Sequence, residues 1–208
     1  QLAGYFFSGW SAAGIEVDGN GFFTMPNQSV EFTGSWSARS DLSYRVVYKW
    51  NNQEVSSRTV PGQTFGTEVT ETPSAPQGYT LKDSRSKSLT ISANESANVI
   101  DFELYKNVTL QANSGNAIYD GTPKSVDGYT ANDPDAVFEG ITAHGEGINA
   151  GEYDVTFVES PIGKKSVDDN YIVVNSSDGL LVIEQADMAV VKITGHHDTK
   201  TYNGRLRH

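Results

Sequence analysis

The sequence predicts an all-β protein, elongated and built from tandem small modules. Its apolar residues are mainly β-branched and aromatic, and strongly helix-forming runs are scarce. Turn-forming residues are abundant, including 20 glycines and 7 prolines in 208 residues, which is typical of many short strands joined by turns. Because only 37% of the residues are apolar, each module is expected to bury a limited apolar area.

The first segment, residues 1–40, is expected to contain a strand and a turn. Val30, Phe32 and Trp36 alternate with polar neighbours, which predicts a half-buried strand. The Asp18-Gly19-Asn20-Gly21 cluster predicts a hairpin turn, since Asn and Gly tolerate positive φ. A calcium loop is the alternative, but the spaced carboxylates and terminal Glu of such a loop are missing.

The second segment, residues 41–106, shows the clearest alternation. Apolar and polar side chains alternate over residues 44–50, which predicts a strand. A turn at Asn51-Asn52 is expected to reverse the chain into a second strand over 55–60. Further strands are expected near 79–81 and 89–91. A closing strand over 99–105 should point Ile100, Phe102 and Leu104 inward.

The third segment, residues 107–185, has the same turn-rich pattern. Strands are predicted near 108–110, 153–158, 171–174 and 180–183, separated by frequent glycines. We expect each segment to form its own separately packed sheet, with the modules end to end and no pocket between them.

An internal repeat extends this organisation to the end of the chain. The run from Val108 to Gly121 aligns without a gap on the run from Val191 to Gly204, so that Tyr119 matches Tyr202. A Tyr-Asx-Gly triplet recurring in register indicates a true repeat. Residues 186–208 are therefore predicted to begin a further copy of the third module.

Charge and cysteine content exclude several classes of partner and site. The chain carries 26 acidic and 15 basic residues, a net charge of −11, which phosphate backbones and anionic lipid headgroups would repel. We therefore expect no nucleic-acid partner. No window approaches 18 consecutive apolar residues, so we expect no membrane insertion in this fragment. With no cysteine, the chain has no disulfide, thiolate zinc site or cysteine nucleophile.

The second segment resembles a MucBP (mucin-binding protein) domain of Gram-positive surface proteins. The resemblance covers nearly all of residues 43–106. It is carried by four motifs, Tyr44-x-Val-x-Tyr48, Thr59-Val60-Pro61-Gly62, Pro76-x-Gly78-Tyr79-Thr80-Leu81 and Asn98-Val99-Ile100-x-Phe102-x-x-Tyr105-Lys106. The family usually has an Asp-Gly-rich turn where this chain has Trp50-Asn51-Asn52, and Asn also accepts left-handed geometry.

The flanking segments resemble two other surface repeats. The third is similar to MBG-type repeats, through Ile118-Tyr119-Asp120-Gly121-Thr122, Ala150-Gly151-Glu152-Tyr153-x-Val155, Asn170-Tyr171 and Gly179-Leu180-Leu181-Val182-Ile183. The first resembles the C-terminal part of a Listeria–Bacteroides-type repeat, through Phe7-Ser8-Gly9-Trp10 and Phe23-Thr24-Met25-Pro26. These resemblances imply β-grasp-like modules for the first two segments and a β-sandwich-like module for the third.

The same resemblances imply a secreted, cell-wall-associated adhesin of a Gram-positive bacterium. We expect a monomeric, non-catalytic segment that presents a module binding mucin or another host glycoprotein or glycan. The alternative is a passive structural stalk that spaces a distal binding domain from the cell wall. The class also implies possible intramolecular Lys–Asn isopeptide bonds, for which the sequence identifies no triad.

The sequence yields no catalytic, cofactor-binding or metal-binding residues. Of the four histidines, His144 is expected in a surface loop, and His196-His197 lack metal-ligand neighbours. Carboxylates cluster at Asp133, Asp135 and Glu139 and at Asp168-Asp169. We expect them to be solvated rather than to form a glycosidase pair, which requires a buried carboxyl with a raised pKa. Calcium bridging between modules is the remaining cofactor hypothesis.

Three tryptophans, Trp10, Trp36 and Trp50, are candidates for stacking on sugar rings. Their positions in the apolar pattern favour core packing for all three. The sequence therefore leaves the ligand-binding residues unidentified.

Overall fold

A computed structural model describes residues 2–187, 193–195 and 197, and it confirms the all-β class. Within these residues there are fifteen strands and one short 3-10 helix, Glu95–Ala97, and no α-helix. The strands of the first two segments and their shared boundary are β1 Tyr5–Phe7, β2 Trp36–Ala38, β3 Leu42–Trp50, β4 Gln53–Gln63, β5 Glu68–Glu71, β6 Tyr79–Leu81, β7 Lys87–Thr90 and β8 Val99–Ala112. The remaining strands are β9 Gly115–Ile118, β10 Lys124–Asp127, β11 Tyr129–Ala131, β12 Ala143–Gly147, β13 Gly151–Phe157, β14 Tyr171–Ser177 and β15 Gly179–Glu184.

These strands form two large and two small sheets. A six-stranded sheet contains β11, β8, β3 and β4 in that order, with β6 and β14 also paired to β8. A five-stranded sheet has the order β10-β12-β13-β15-β9. The pairs β1-β2 and β5-β7 stand as two-stranded sheets.

The β3–β4 hairpin follows directly from the sequence pattern. Leu42, Tyr44 and Val46 are buried on one face of β3, as the alternation predicts. The turn residues Asn51 and Asn52 have φ of 46° and 61°, the left-handed geometry that Asn accepts more readily than most residues. The predicted turn and the strand on each side of it are therefore confirmed.

Strand β8 is the central element of the molecule. The sequence predicted two strands, over 99–105 and 108–110, but residues 99–112 form one continuous strand of 14 residues. Ile100, Phe102 and Leu104 point inward as predicted. The boundary between residues 106 and 107 thus lies inside a strand, at Lys106, which pairs with both Tyr79 and Tyr171.

Both edges of β8 are occupied by strands from the two segments. Along one edge β3 pairs with residues 99–103 and β14 with residues 106–111, both in parallel. Along the other edge β6 and β11 pair in antiparallel fashion. The prediction of a separate sheet for each segment is therefore wrong, because the backbone of β8 offers hydrogen-bonding groups along both edges for its whole length.

Three hydrophobic cores lie in succession along this framework. The first contains Leu42, Tyr44, Val46, Ile91, Ile100 and Phe102. The second contains Val108, Leu110, Ala136, Phe138, Tyr171 and Val173, and the third Ala112, Ala143, Val155, Leu181 and Ile183. Phe157 packs against both the second and the third core. Strand β8 contributes side chains to all three, so it is common to every core.

The first segment is the least packed part of the described chain. No apolar side chain in residues 2–41 is buried. The predicted strand over 30–36 is wrong for most of its length, since only β2 and a single bridge at Thr33 form there. The turn at Asp18–Gly21 is confirmed, because the Gly21 N–H donates to the Asp18 carbonyl oxygen at 3.0 Å, but no strand borders it between β1 and β2 to make a hairpin. Tyr5 joins this segment to the next through an edge-on contact with Phe65.

Candidate functional site

A polar cleft lies where the second and third segments meet. We call it the junction cleft, and it has a volume of about 150 Å³. Its polar lining residues are Lys49, Asn51, Asn52, Lys82, Glu103 and Asn170. This finding corrects the expectation that no pocket forms between modules. The hairpin turn after β3, the end of β6, strand β8 and the loop before β14 meet here because β8 is continuous.

Backbone strand pairing and a hydrogen bond from the Trp50 indole hold the residues of the cleft in place. Lys49 and Glu103 face each other in the β3–β8 register. The Lys82 N–H donates to the Glu103 carbonyl oxygen at 2.9 Å from the opposite edge. Asn170 is fixed because its carbonyl oxygen accepts hydrogen bonds from the Trp50 indole and from the Lys106 N–H, each at 2.9 Å.

The two lysines of the cleft are held by aspartates at its rim. The Lys49 ammonium lies 3.4 Å from an Asp101 carboxylate oxygen, and the Lys82 ammonium lies 3.1 Å from that of Asp169. The hydrogen bond from Lys82 lowers the pKa of Asp169, assisted by the Tyr105 hydroxyl, which donates at 3.0 Å. Asp169 is therefore an ionised partner that orients Lys82.

The lining gives the junction cleft both donors and acceptors. Ammonium groups and side-chain amides can donate, and amide oxygens and the exposed Glu103 carboxylate can accept. Its volume is about half of the ~300 Å³ lower bound for drug-sized ligand pockets. The arrangement suits a small, strongly polar group such as one sugar residue. The sequence predicts no site here and indicates only a turn at Asn51-Asn52.

Three carboxyl groups of the acidic clusters, Asp133, Asp168 and Asp169, have lowered pKa values, whereas a glycosidase acid needs a raised one. The Asp133 side chain is mostly shielded from solvent and pairs with the Lys106 ammonium at 2.7 Å, so the prediction that it is solvated is wrong. This hydrogen bond lowers the pKa of Asp133. The Ser166 hydroxyl, which donates to Asp168, lowers the pKa of that carboxyl. These three aspartates, Asp133, Asp168 and Asp169, are structural ion-pair and turn residues.

His144 lies in strand β12 rather than in the predicted surface loop. Its Nδ1 is 2.7 Å from an Asp127 carboxylate oxygen on the neighbouring strand, and its Nε2 is 3.7 Å from Glu146. Hydrogen bonding to Asp127 raises the pKa of the imidazole. His197 is among the described residues, whereas His196, His208 and most of the predicted further repeat lie outside them.

The metal and isopeptide hypotheses gain no candidate residues from the described part of the chain. No group of three His, Asp or Glu side chains is arranged there to hold a metal ion. Among residues 2–187, no lysine ammonium donates to an asparagine side chain. Lysines pair with aspartates instead, in the pairs Lys49–Asp101, Lys82–Asp169, Lys106–Asp133, Lys124–Asp120 and Lys165–Asp169.

The tryptophans divide into one packed and two exposed side chains. Trp50 is half-buried, with its ring edge-on to Tyr171, so core packing is confirmed for it. Trp10 is 65% exposed and Trp36 45% exposed, so core packing is wrong for both. The physical reason is that the first segment forms only two three-residue strands and builds no core of its own.

Trp10 also borders an open apolar groove. We call it the aromatic groove, and it is lined by Trp10, Val17, Gly21, Phe23 and Phe32. The Trp10 ring is held edge-on against Phe7, with 5.1 Å between ring centres. Exposure of a fixed aromatic face is the requirement for stacking on a sugar ring.

No family model matches this chain, and no curated protein matches it significantly. Nor does the described part of the chain contain a helix with the length and apolar character needed to cross a bilayer.

Proposed function

We propose that this chain is a stiff, non-catalytic segment of a secreted, cell-wall-associated surface protein of a Gram-positive bacterium. In this role it spaces and orients neighbouring domains. One observation carries the proposal: strand β8 continues without interruption through the boundary between two modules and contributes to all three cores.

The dimensions of β8 explain why the connection is stiff. A strand rises about 3.3 Å per residue, so 14 residues extend about 45 Å. A flexible linker would leave the backbone groups at the boundary unpaired. Here Lys106 is paired on both edges, and the Asn107 N–H donates to the Gly78 carbonyl oxygen at 3.0 Å. Bending the junction would therefore break backbone hydrogen bonds.

The motif resemblances support the cell-surface setting. MucBP-like and MBG-type motifs occupy the second and third segments in order, and the net charge of −11 suits a solvated surface module. On the same basis we assign a β-grasp-like fold to the second segment and a β-sandwich-like fold to the third. The β-grasp-like fold expected for the first segment does not form in residues 2–40, which contain only two three-residue strands. An antibody against this chain should label intact, unpermeabilised source cells. Labelling only after lysis would contradict the surface location.

A distance measurement across the junction tests stiffness. The chain has no native cysteine, so spin labels on Ser56→Cys in β4 and Thr156→Cys in β13 report one distance. Both side chains are exposed and lie on either side of the junction. Pulsed electron spin resonance should give one narrow distance distribution.

The matched control inserts a Gly-Gly-Ser linker between Lys106 and Asn107. Because the insertion interrupts the pairing of β8, the distance distribution should broaden. A distribution in the uninterrupted chain as broad as in the linker variant would contradict the stiff connection.

A second function, binding of mucin or another host glycoprotein or glycan, is supported by the junction cleft. Its lining supplies lysine ammonium groups, three asparagine amides and one carboxylate, which are the groups that bind sugar hydroxyls. The cleft needs residues from both sides of Lys106, so binding should be measured on the full chain. A fragment ending at residue 106 would lack Asn170.

Paired substitutions test the cleft. Asn51→Gly with Asn52→Gly removes two amides while keeping the positive φ that the turn requires. Binding to a mucin glycan array should weaken several-fold. The control, Asn20→Gly, makes the same change in a distant exposed turn and should leave binding unchanged. If the unsubstituted chain, the double variant and the control bind equally well, the cleft is not the binding site.

A further inference from the structure

The direction of the strands shows how tension would pass through the chain. Of the eleven strand pairings in the described residues, only three are parallel: β3 with β8, β8 with β14, and β9 with β15. Each of these pairings joins a strand near the point where the chain enters a segment to a strand near the point where it leaves that segment. The antiparallel pairings lie elsewhere in the sheets.

In the second segment, tension would load the β3–β8 pair in shear. A pull on the N-terminal side acts at the start of β3, and a pull on the C-terminal side acts at the far end of β8. Because the two strands are parallel, these forces slide them past each other. The register from Arg45↔Val99 to Lys49↔Glu103 would then share the load. Sliding along the strand axis loads all the evenly spaced hydrogen bonds of this parallel register at the same time.

The third segment repeats this arrangement twice. Its incoming strands are the second half of β8 and β9, and its outgoing strands are β14 and β15. The β8–β14 register extends from Lys106↔Tyr171 to Gln111↔Ser177, with one irregularity after Val173. The β9–β15 register runs from Gly115↔Leu181 to Ile118↔Glu184. Tension between the ends of this segment would therefore act along the strands of both pairs.

Side chains reinforce these parallel contacts. Lys49 and Asp101 form an ion pair across β3 and β8. The Gln111 amide donates to the Asp178 carbonyl oxygen at 2.8 Å, next to β14. The Trp50 indole, at the end of β3, donates to the Asn170 carbonyl oxygen just before β14. These contacts connect the parallel strands where shear would act.

We propose that the chain resists mechanical tension, because each of its two packed segments is closed by a shear clamp, a parallel pairing between its incoming and outgoing strands. Stretching the protein along its length would then meet resistance from whole registers of hydrogen bonds rather than from one bond at a time. Mechanical strength of this kind does not depend on the proposed location, ligand or stiffness of the chain.

Single-molecule force spectroscopy on the full chain tests the clamp. Since no native cysteine is present, paired cysteines define the pulling direction. Ser40→Cys with Glu103→Cys pulls β3 and β8 along their axes. Ser40→Cys with Ala97→Cys pulls apart the neighbouring N-terminal ends of the same two strands. All three positions are exposed, so neither pair disturbs the core.

The axial pair should rupture at a force several-fold higher than the transverse pair. Both variants must show the thermal unfolding midpoint of the unsubstituted chain, so that the comparison concerns direction alone. Equal rupture forces, or a weaker axial direction, would overturn the proposal. The spin-label distance distribution would be unaffected by that result, so failure of the clamp and failure of the stiff connection are distinguishable.

Pulling end to end adds a second readout. With Ser40→Cys and Gln185→Cys, opening of the β3–β8 clamp releases 54 residues, the offset of the Arg45↔Val99 register. Opening of the β8–β14 and β9–β15 clamps together releases 66 residues, the offset of the Gly115↔Leu181 register. At up to about 3.6 Å per extended residue, the two lengthening steps should be about 190 Å and about 240 Å. Many small steps at low force would overturn the proposal.

Discussion

At the scale of single residues, Asn98 is the buried polar side chain of the second segment and joins three of its backbone stretches. It is fully buried, and its Oδ1 accepts from the Ser92 N–H at 2.8 Å. Its Nδ2 donates to the carbonyl oxygens of Ser43 and Ser92, each at 3.0 Å. One amide therefore joins the start of β3, the end of the segment after β7, and the first residues of β8.

Replacing Asn98 should destabilise the protein strongly. Asn98→Ala leaves three backbone groups without their partner, at a cost of roughly 2–4 kcal/mol in unfolding free energy. Urea denaturation measures the difference. The control, Asn94→Ala, removes an exposed cap of the short 3-10 helix and should cost about 0.5–1 kcal/mol. Equal losses in the two variants would show that the buried network is not the source of stability.

His144 should titrate above its ordinary pKa. Asp127 raises the pKa because its carboxylate favours the imidazolium. The contribution to stability is therefore present below the unfolded-state pKa of about 6.5, and it is lost as pH rises through the folded-state pKa. In an NMR titration, Asp127→Asn should lower the His144 pKa more than Glu146→Gln does. An unchanged pKa in Asp127→Asn would refute the assignment.

At the scale of elements, close backbone contacts decide where strands can lie. Gly179 begins β15, beside the connection between β8 and β9. A Cβ atom at this position would overlap the Asn113 carbonyl oxygen. Backbone atoms cannot move aside as a flexible side chain can, so only glycine allows β15 to approach this connection.

Gly179→Ala should therefore destabilise the third segment. Overpacking at a buried contact costs about 1–3 kcal/mol in unfolding free energy. Gly19→Ala provides the matched control, since a Cβ atom there meets open space. Urea denaturation of the two variants gives the comparison. A Gly179→Ala protein as stable as the control would indicate that the backbone separation is larger than described.

At the scale of the whole molecule, continuity of β8 should couple the stability of its cores. Phe102 belongs to the first core and Leu110 to the second, eight positions apart in the same strand. Unfolding of either core removes partners from that strand. In solution without applied tension, the second and third segments are thus expected to unfold together.

A destabilising substitution in one core should also lower the stability of the other core. Leu110→Ala removes a side chain that is 1% exposed and should cost about 2–5 kcal/mol. Amides of β3, in the first core, should lose a similar amount of exchange protection, measured by hydrogen–deuterium exchange. Val158→Ala, at a position 70% exposed, is the control and should change little. Full protection of β3 in the Leu110→Ala protein would show that the segments unfold independently.

Much of the local structure could be predicted from residues 41–112. The faces of β3 and the first half of β8 were assigned correctly because alternation with a period of two is a local property. The failures have non-local causes. The strand over 30–36 did not form because it lacks a partner surface, and Trp10 and Trp36 are exposed for the same reason.

The candidate site was not predicted because its parts lie far apart in the sequence. Trp50 and Asn170 are 120 residues apart, and their hydrogen bond holds Asn170, a lining residue of the junction cleft, in place. Each residue alone gives no signal of a site. Asn51 and Asn52 were noticed for their turn geometry, and their contribution to a cleft depends on β8 bringing the other residues beside them.

The sequence by itself determined that this protein is made of short strands and which side of several strands faces inward, since side-chain polarity and backbone pleat act over neighbouring residues. The tertiary structure alone decided which strands pair, that β8 belongs to two modules, and that the chain's incoming and outgoing strands run parallel. The parallel pairings depend on hydrogen bonds between residues 54 to 66 positions apart. Alternation specifies the face of a strand, and it carries no information about the partner along its edge.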